Sequence, residues 1–193
     1  MKSLLVVLLI TLGLSSSLNA QEHTNRPPKL PPTTSTPAPN AGTVAPGTWT
    51  KFTSDVGRFS VLMPGVPKDT VETKESEHGP YTTHLFVLRQ PRNVFLIGWV
   101  DYDPSFNFNR QAEMEMNRDN FIKGLNATLL NTRVIRIDGY PVLEFRAEGE
   151  QRIFTSRVYM VGRRPYQIVI GSPKGVDDSV NINRFFNSFK VTP

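Results

Sequence analysis

The chain contains no cysteine in its 193 residues. That absence excludes disulfides, thiolate nucleophiles, iron–sulfur ligation and every zinc site built on cysteine. It also excludes anchoring through an acylated cysteine. Histidine is scarce, with His23, His78 and His84 spread over three separate stretches. No HExxH and no histidine pair at metal-binding spacing occurs. There is no GxSxG nucleophile elbow, no GxGxxG dinucleotide loop and no GxxxxGK[ST] phosphate loop. Ser172-Pro173-Lys174-Gly175 reads as a loop, not as a serine–lysine site. Long runs of like charge are missing too. The formal net charge is +5, and Arg163-Arg164 is the only adjacent basic pair. So mild a charge permits weak attraction to an anionic surface but makes no nucleic-acid stripe, and nucleic acid is not an expected partner.

What is present falls into three parts. Met1-Lys2-Ser3 is a short positive start, Leu4 to Leu14 is an apolar run, and Ser15 to Ala20 is a small, polar end. That is the pattern of a secretory signal peptide, residues 1–20, cut after Ala20. The apolar run is too short to cross a bilayer, so no transmembrane span is expected after cleavage. The expected location is periplasmic or extracellular. Residues 21–48 are rich in Pro, Thr, Ala and Gly and carry almost no large apolar group. Such a stretch cannot bury enough surface to offset the entropy of ordering, and it reads as a disordered tether. Residues 49–193 form the expected domain.

Within that domain, short strands alternate with turn signals. Trp49 to Ser54 and Arg58 to Met63 come first, and the second places Phe59, Val61 and Met63 on one face. Lys68 to Glu77 alternates weakly and reads as an exposed strand. Tyr81 to Gln90 is a firmer strand. Val94 to Tyr102 is apolar on both faces until Asp101, so it reads as a central strand covered on both sides. A helix follows, capped by Asn107 or Asn109 and running to about Leu125, with Met114, Phe121, Ile122 and Leu125 on one stripe. Leu129 to Ile137 and Tyr140 to Glu148 are strands around an Asp138-Gly139 hairpin turn. Gln151 to Val161 and Tyr166 to Gly171 are strands around a turn at Gly162 to Pro165. Ile182 to Val191 reads as a closing amphipathic helix. The short turns demand a mostly antiparallel sheet. The doubly covered central strand then predicts an α+β fold with the sheet sandwiched between helices, a three-layer α/β/α arrangement.

Candidate chemistry concentrates where the central strand ends. Asp101 and Asp103 have the i, i+2 spacing that puts two carboxylates on one face of a strand. Such a pair could hold Ca²⁺ or another hard cation, or share a proton as acid and base. Glu144 is a candidate third ligand. The calcium-loop pattern itself fails, because Pro104 and Ser105 follow the second Asp. Phe106 and Phe108 fall in the next loop, as a lid or as the lining of a pocket. Ile182, Phe185, Phe186 and Phe189 have helical core spacing. Arg152, Arg157, Arg163 and Arg164 are the candidate contacts for an anionic polymer or surface. His84 shares a strand face with Phe86 and Leu88, as a packed histidine would.

Four stretches resemble the PsbP-like superfamily. They are WTKFTSDVGRFSVLMPGVPK (Trp49 to Lys68), DGYPVLEFRAE (Asp138 to Glu148), SRVYMVGRRPYQIVIG (Ser156 to Gly171) and FFNSFKV (Phe185 to Val191). The resemblance is one of pattern and order, and it implies an antiparallel sheet between helices. It brings no catalytic set, and no cofactor is evident in the sequence beyond the hard cation weighed above. Photosystem II binding is a specialised case in that superfamily, and no residue ties this chain to it. The expectation is a small exported bacterial member: a non-catalytic module that binds an envelope or extracellular protein, or a ligand. A hydrolase or metal-dependent enzyme centred on Asp101 and Asp103 is the alternative, and weak binding of anionic polymer is a second one.

Overall fold

The computed structural model describes residues 48–76, 79–107 and 109–192. The signal-peptide pattern, nearly all of the tether, His23, His78 and Phe108 lie outside them. Ten strands and two helices make up the described fold. The central strand is β5 (Val94–Tyr102), buried without interruption from Val94 to Val100. It belongs to a seven-stranded antiparallel sheet. β4 (Tyr81–Arg89) and then the edge strand β3 (Lys68–Lys74) flank it on one side. On the other side follow β9 (Arg164–Pro173), β8 (Arg152–Val161), β7 (Tyr140–Glu148) and the far edge β6 (Thr128–Ile137). β1 (Thr50–Ser54), β2 (Phe59–Met63) and β10 (Lys190–Val191) form a second, three-stranded antiparallel sheet with β2 in the middle.

Alternation along β5 sends successive side chains into two different cores. Val94 and Leu96 meet Met114 and Phe121 of α1 (Arg110–Gly124). Phe95, Ile97 and Trp99 meet Phe59, Val61 and Met63 of β2 and Phe185, Phe186 and Phe189 at the end of α2 (Ser179–Ser188). This corrects the expected sandwich of helices. The fold is β-rich, and one face of the large sheet is covered by a second sheet together with a single helix. Burial of a strand on both faces does not by itself call for helices. Burial requires apolar cover, and a small sheet supplies it as well as a helix does.

The structure also departs from the sequence expectation at two local points. The closing helix starts earlier and stops earlier than its apolar spacing suggested. Phe189 is its C-cap in extended geometry, and Lys190–Val191 pairs with Ser60 and Phe59 as a strand. The turn expected over Gly162 to Pro165 is shorter, since Arg164 and Pro165 already pair with Val161 and Met160. Gly162, at φ 62°, provides the left-handed residue of that tight turn. The Asp138-Gly139 turn has positive φ at both residues, which is the hairpin geometry that this dipeptide favours. Asn109 does cap α1, accepting from the amides of Gln111 and Ala112.

Phe59 sits where the two sheets meet and is 0% exposed. Its ring centroid lies 5.5 Å from Phe189, 5.8 Å from Trp99 and 6.2 Å from both Phe52 and Phe86. Each strand of the small sheet is therefore tied to the large one through this ring or its immediate neighbours. Phe59→Ala is expected to cost about 3–5 kcal/mol, the usual range for emptying a buried aromatic site. Urea unfolding of wild type and variant measures it, and a loss within about 1 kcal/mol would refute the central placement of this ring.

Candidate functional site

The C-terminal end of β5 carries a polar cluster on each face of the sheet. On the β2 side, Asp101 follows Trp99 in the alternation and its carboxylate collects three donors. Trp99 Nε1 donates to Oδ2 at 3.2 Å, His84 Nε2 lies 3.2 Å from Oδ2, and Arg164 Nε donates to Oδ1 at 2.6 Å. His84 is stacked on the Trp99 indole, 4.3 Å between centroids and 4° from parallel. That stack follows from register, because His84 of β4 and Trp99 of β5 are direct cross-strand partners. Arg164 also donates to the Val56 carbonyl at 3.0 Å, and Tyr166 Oη donates to the Gly57 carbonyl at 2.9 Å. The cluster therefore pins the β1–β2 turn onto the large sheet. Gly57 has no room for a side chain there, since a Cβ would come 2.6 Å from the Phe59 ring.

On the α1 side, Tyr102 points the other way. Its hydroxyl donates to Glu113 Oε1 at 2.5 Å, and Asn117 Nδ2 donates to the same oxygen at 3.0 Å. Glu113 is only 2% exposed. Burial pushes its carboxyl above the ordinary glutamate value, against the pull of the Tyr102 and Asn117 hydrogen bonds. Burial, with the neighbouring carboxylate, pushes the Tyr102 phenol far up, so it stays protonated. Nothing in the sequence analysis above singles out Glu113. The i, i+4 series Glu113, Asn117, Phe121 held the signal, because Phe121 marks the inward stripe.

The expected site residues go to different neighbours. Asp103 lies beyond the strand, where its Oδ1 accepts from the amide and the hydroxyl of Ser105. Those bonds hold its carboxyl below the usual aspartate value. Glu144 of β7 lies between Arg133 Nε at 2.9 Å and Arg157 Nε at 2.8 Å. Burial pushes its carboxyl up, but the bonds from Arg157 and Arg133 outweigh it and leave it lowered. Register places Glu144 level with Ile97, three strand spacings from β5, which is about 14 Å. Among the described residues no three His, Asp or Glu groups gather as a metal site. Phe106 is 4% exposed and stacks on Tyr102 at 4.5 Å. It packs under the loop, which Arg163 clasps by donating to the Asp103 and Phe106 carbonyls. Arg152 donates to the Arg92 and Gly171 carbonyls, and the Arg157 guanidinium lies 4.8 Å over the Phe186 ring. All four candidate arginines thus have partners inside the domain.

Two titrations test these environments. Burial, the largest influence, holds the His84 imidazole below its ordinary 6.5; Asp101 pulls it up and Arg164 pushes it down. A lowered pKa means that folding favours the neutral ring. Its contribution is complete above 6.5 and is lost as pH falls through 6.5 towards the folded value. Unfolding midpoints should therefore drop in that window for wild type, and His84→Gln should flatten the drop. Glu113 has the opposite sign. Its raised pKa gives a contribution that is complete below the ordinary 4.5 and is lost as pH rises through the folded value. The stability of wild type relative to Glu113→Gln should fall over that rise, and a pH-independent difference would contradict the buried-carboxyl assignment.

No family model matches the chain, and a search of curated proteins finds no match. Among solved structures, the cyanobacterial PsbP (CyanoP) of Synechocystis sp. PCC 6803 superposes with a TM-score of 0.52 at 14% identity. The match covers 79% of this chain and 97% of that one. A crystal structure from Bacteroides thetaiotaomicron gives a TM-score of 0.41 at 14% identity, over 74% of this chain and 48% of that one. The sequence pattern of the four resembling stretches and the CyanoP superposition together make this a PsbP-like fold.

Proposed function

We propose that the chain is an exported, non-catalytic binding module that takes a partner protein at the β6 edge of its large sheet. Export rests on the leader pattern of residues 1–20. The absence of catalysis is supported by the duties of its carboxylates. Asp101, Asp103, Glu113 and Glu144 are each bonded to different side chains, and each bond set holds a turn, a loop, a helix or a strand pair in place.

The observation that carries the reading is the asymmetry of the two sheet edges. β3 is guarded in the usual way, with Lys68, Asp69, Glu72 and Lys74 along seven residues. β6 is ten residues long, and every residue from Thr128 to Val134 is exposed. Leu129, Leu130 and Val134 stand 38%, 44% and 57% exposed on it. Its only charges are Arg133 and Arg136. An open edge supplies backbone donors and acceptors for an added strand, and side chains on alternate positions supply selectivity.

Site-specific photo-crosslinking in the full chain tests this. A crosslinker at Val134 should trap a discrete partner under native conditions, and one at Val71 on β3 should not. Leu130→Lys should abolish the Val134 product without unfolding the domain. Equal products from both edges, or none from Val134, would refute the edge assignment.

A further inference from the structure

A cavity of about 290 Å³ lies away from the β5 corner, between the large sheet and the start of α2. Its floor consists of two cross-strand pairs, Arg146 with Thr155 and Ile153 with Ser172. The loop through Pro173 and Val176, the two acids Asp177 and Asp178, and Ile182 close the other side.

The charges in this cavity are unusual. Arg146 has no ion-pair or hydrogen-bond partner for its side chain among the described residues, and neither acid is paired with a cation. Asp178 does not bond the first amides of α2. Its carboxylate instead accepts from Asn93, from Ser172 Oγ at 2.6 Å and from Asn181 Nδ2 at 2.6 Å, all neutral donors. Asp177 accepts from the amide of Ser179, at 3.0 Å, and from its hydroxyl, and is exposed. Opposite charges thus line one small cavity without meeting. Thr155 also lines the cavity. The residue is 8% exposed, and its hydroxyl bonds no described residue, which leaves it free to bond a polar guest. The β-bulge of β6, between Leu129 and Asn131, falls directly opposite Arg146. Bulges are enriched beside functional sites, where they redirect side chains.

We infer that this cavity binds a small zwitterion, a molecule with a carboxylate and an ammonium group on a short aliphatic skeleton. Arg146 receives the carboxylate as a charge-assisted pair, and Thr155 donates to it. Asp177 and Asp178 receive the ammonium. Ile153, Val176 and Ile182 cover the aliphatic carbons. A volume just under the roughly 300 Å³ at which ligand pockets begin limits the guest to amino-acid size. A single charge cannot satisfy this lining, because either wall would repel it or leave its counterpart bare.

The test is a titration of the isotope-labelled full chain with glycine, γ-aminobutyrate and δ-aminovalerate, followed by amide resonances. Butyrate and butylamine serve as singly charged controls. At least one zwitterion should shift the Thr155, Ser172 and Ile182 amides and saturate in the millimolar range or tighter. Both controls should bind at least about tenfold more weakly. Arg146→Gln and Asp177→Asn should each weaken the zwitterion by about tenfold while leaving distant resonances in place, which shows that the variants remain folded. The proposal fails if no zwitterion moves these amides. It also fails if butyrate binds as well as the zwitterion, or if a folded Arg146→Gln retains wild-type affinity.

Discussion

Burial of β5 on both faces is the constraint from which the rest of the architecture follows. A strand of nine residues with no polar side chain until its end cannot lie on the surface of one core. It has to divide two. One of them is closed by α1, whose Met114 and Phe121 rest on Val94 and Leu96. The other needs cover for Phe95, Ile97 and Trp99, and the β1–β2–β10 sheet and α2 provide it jointly. Neither piece is large enough alone. α2 has ten residues, and the three-stranded sheet has two strands of five residues and one of two. Their common anchor is the aromatic cluster around Phe59, in which edge-to-face contacts add to the area each ring buries.

Where β5 runs out of apolar residues, it acquires polar groups that fasten these layers. Asp101 faces the small sheet, and Arg164 and Tyr166 beside it hold the β1–β2 turn. Tyr102 faces α1 and holds Glu113. Consecutive residues of one strand therefore secure both covering layers. The concentration of acidic and aromatic residues at this corner, which suggested chemistry in the sequence, has a mechanical origin in these contacts.

The sequence made some of this legible and hid the rest, and the division is physical. Alternation and turn chemistry are local, so β5, the Asp138-Gly139 hairpin and the Asn109 cap could all be read from neighbouring residues. The partner of a side chain is not local. Arg164 and Asp101 are 63 positions apart, and no spacing rule links them. The spacing of Ile182, Phe185, Phe186 and Phe189 fits one helix, although Phe189 leaves it and leads into β10. What ends the helix there is pairing with Phe59 and Ser60, far away in sequence. The identity of the covering layer failed for the same reason, since apolar periodicity reports that a face is buried and not what buries it. In the cavity beside α2, Arg146 reads as an ordinary exposed strand residue, and only the fold brings it into one cavity with Asp177.

The pairing of β10 with β2 has a consequence for the order of assembly. β2 is the middle strand of its sheet, and one of its two neighbours arrives about 130 residues later, at Lys190 and Val191. Closing that contact has a high loop-closure cost, which is met late and slowly. Until it closes, Phe189 is missing from the cluster around Phe59, and one of the two cores stays open to water. A chain emerging from its amino end can form β4, β5 and α1 early, yet it cannot complete the second core before its final strand is free. The final strand therefore sets the moment at which the second core shuts.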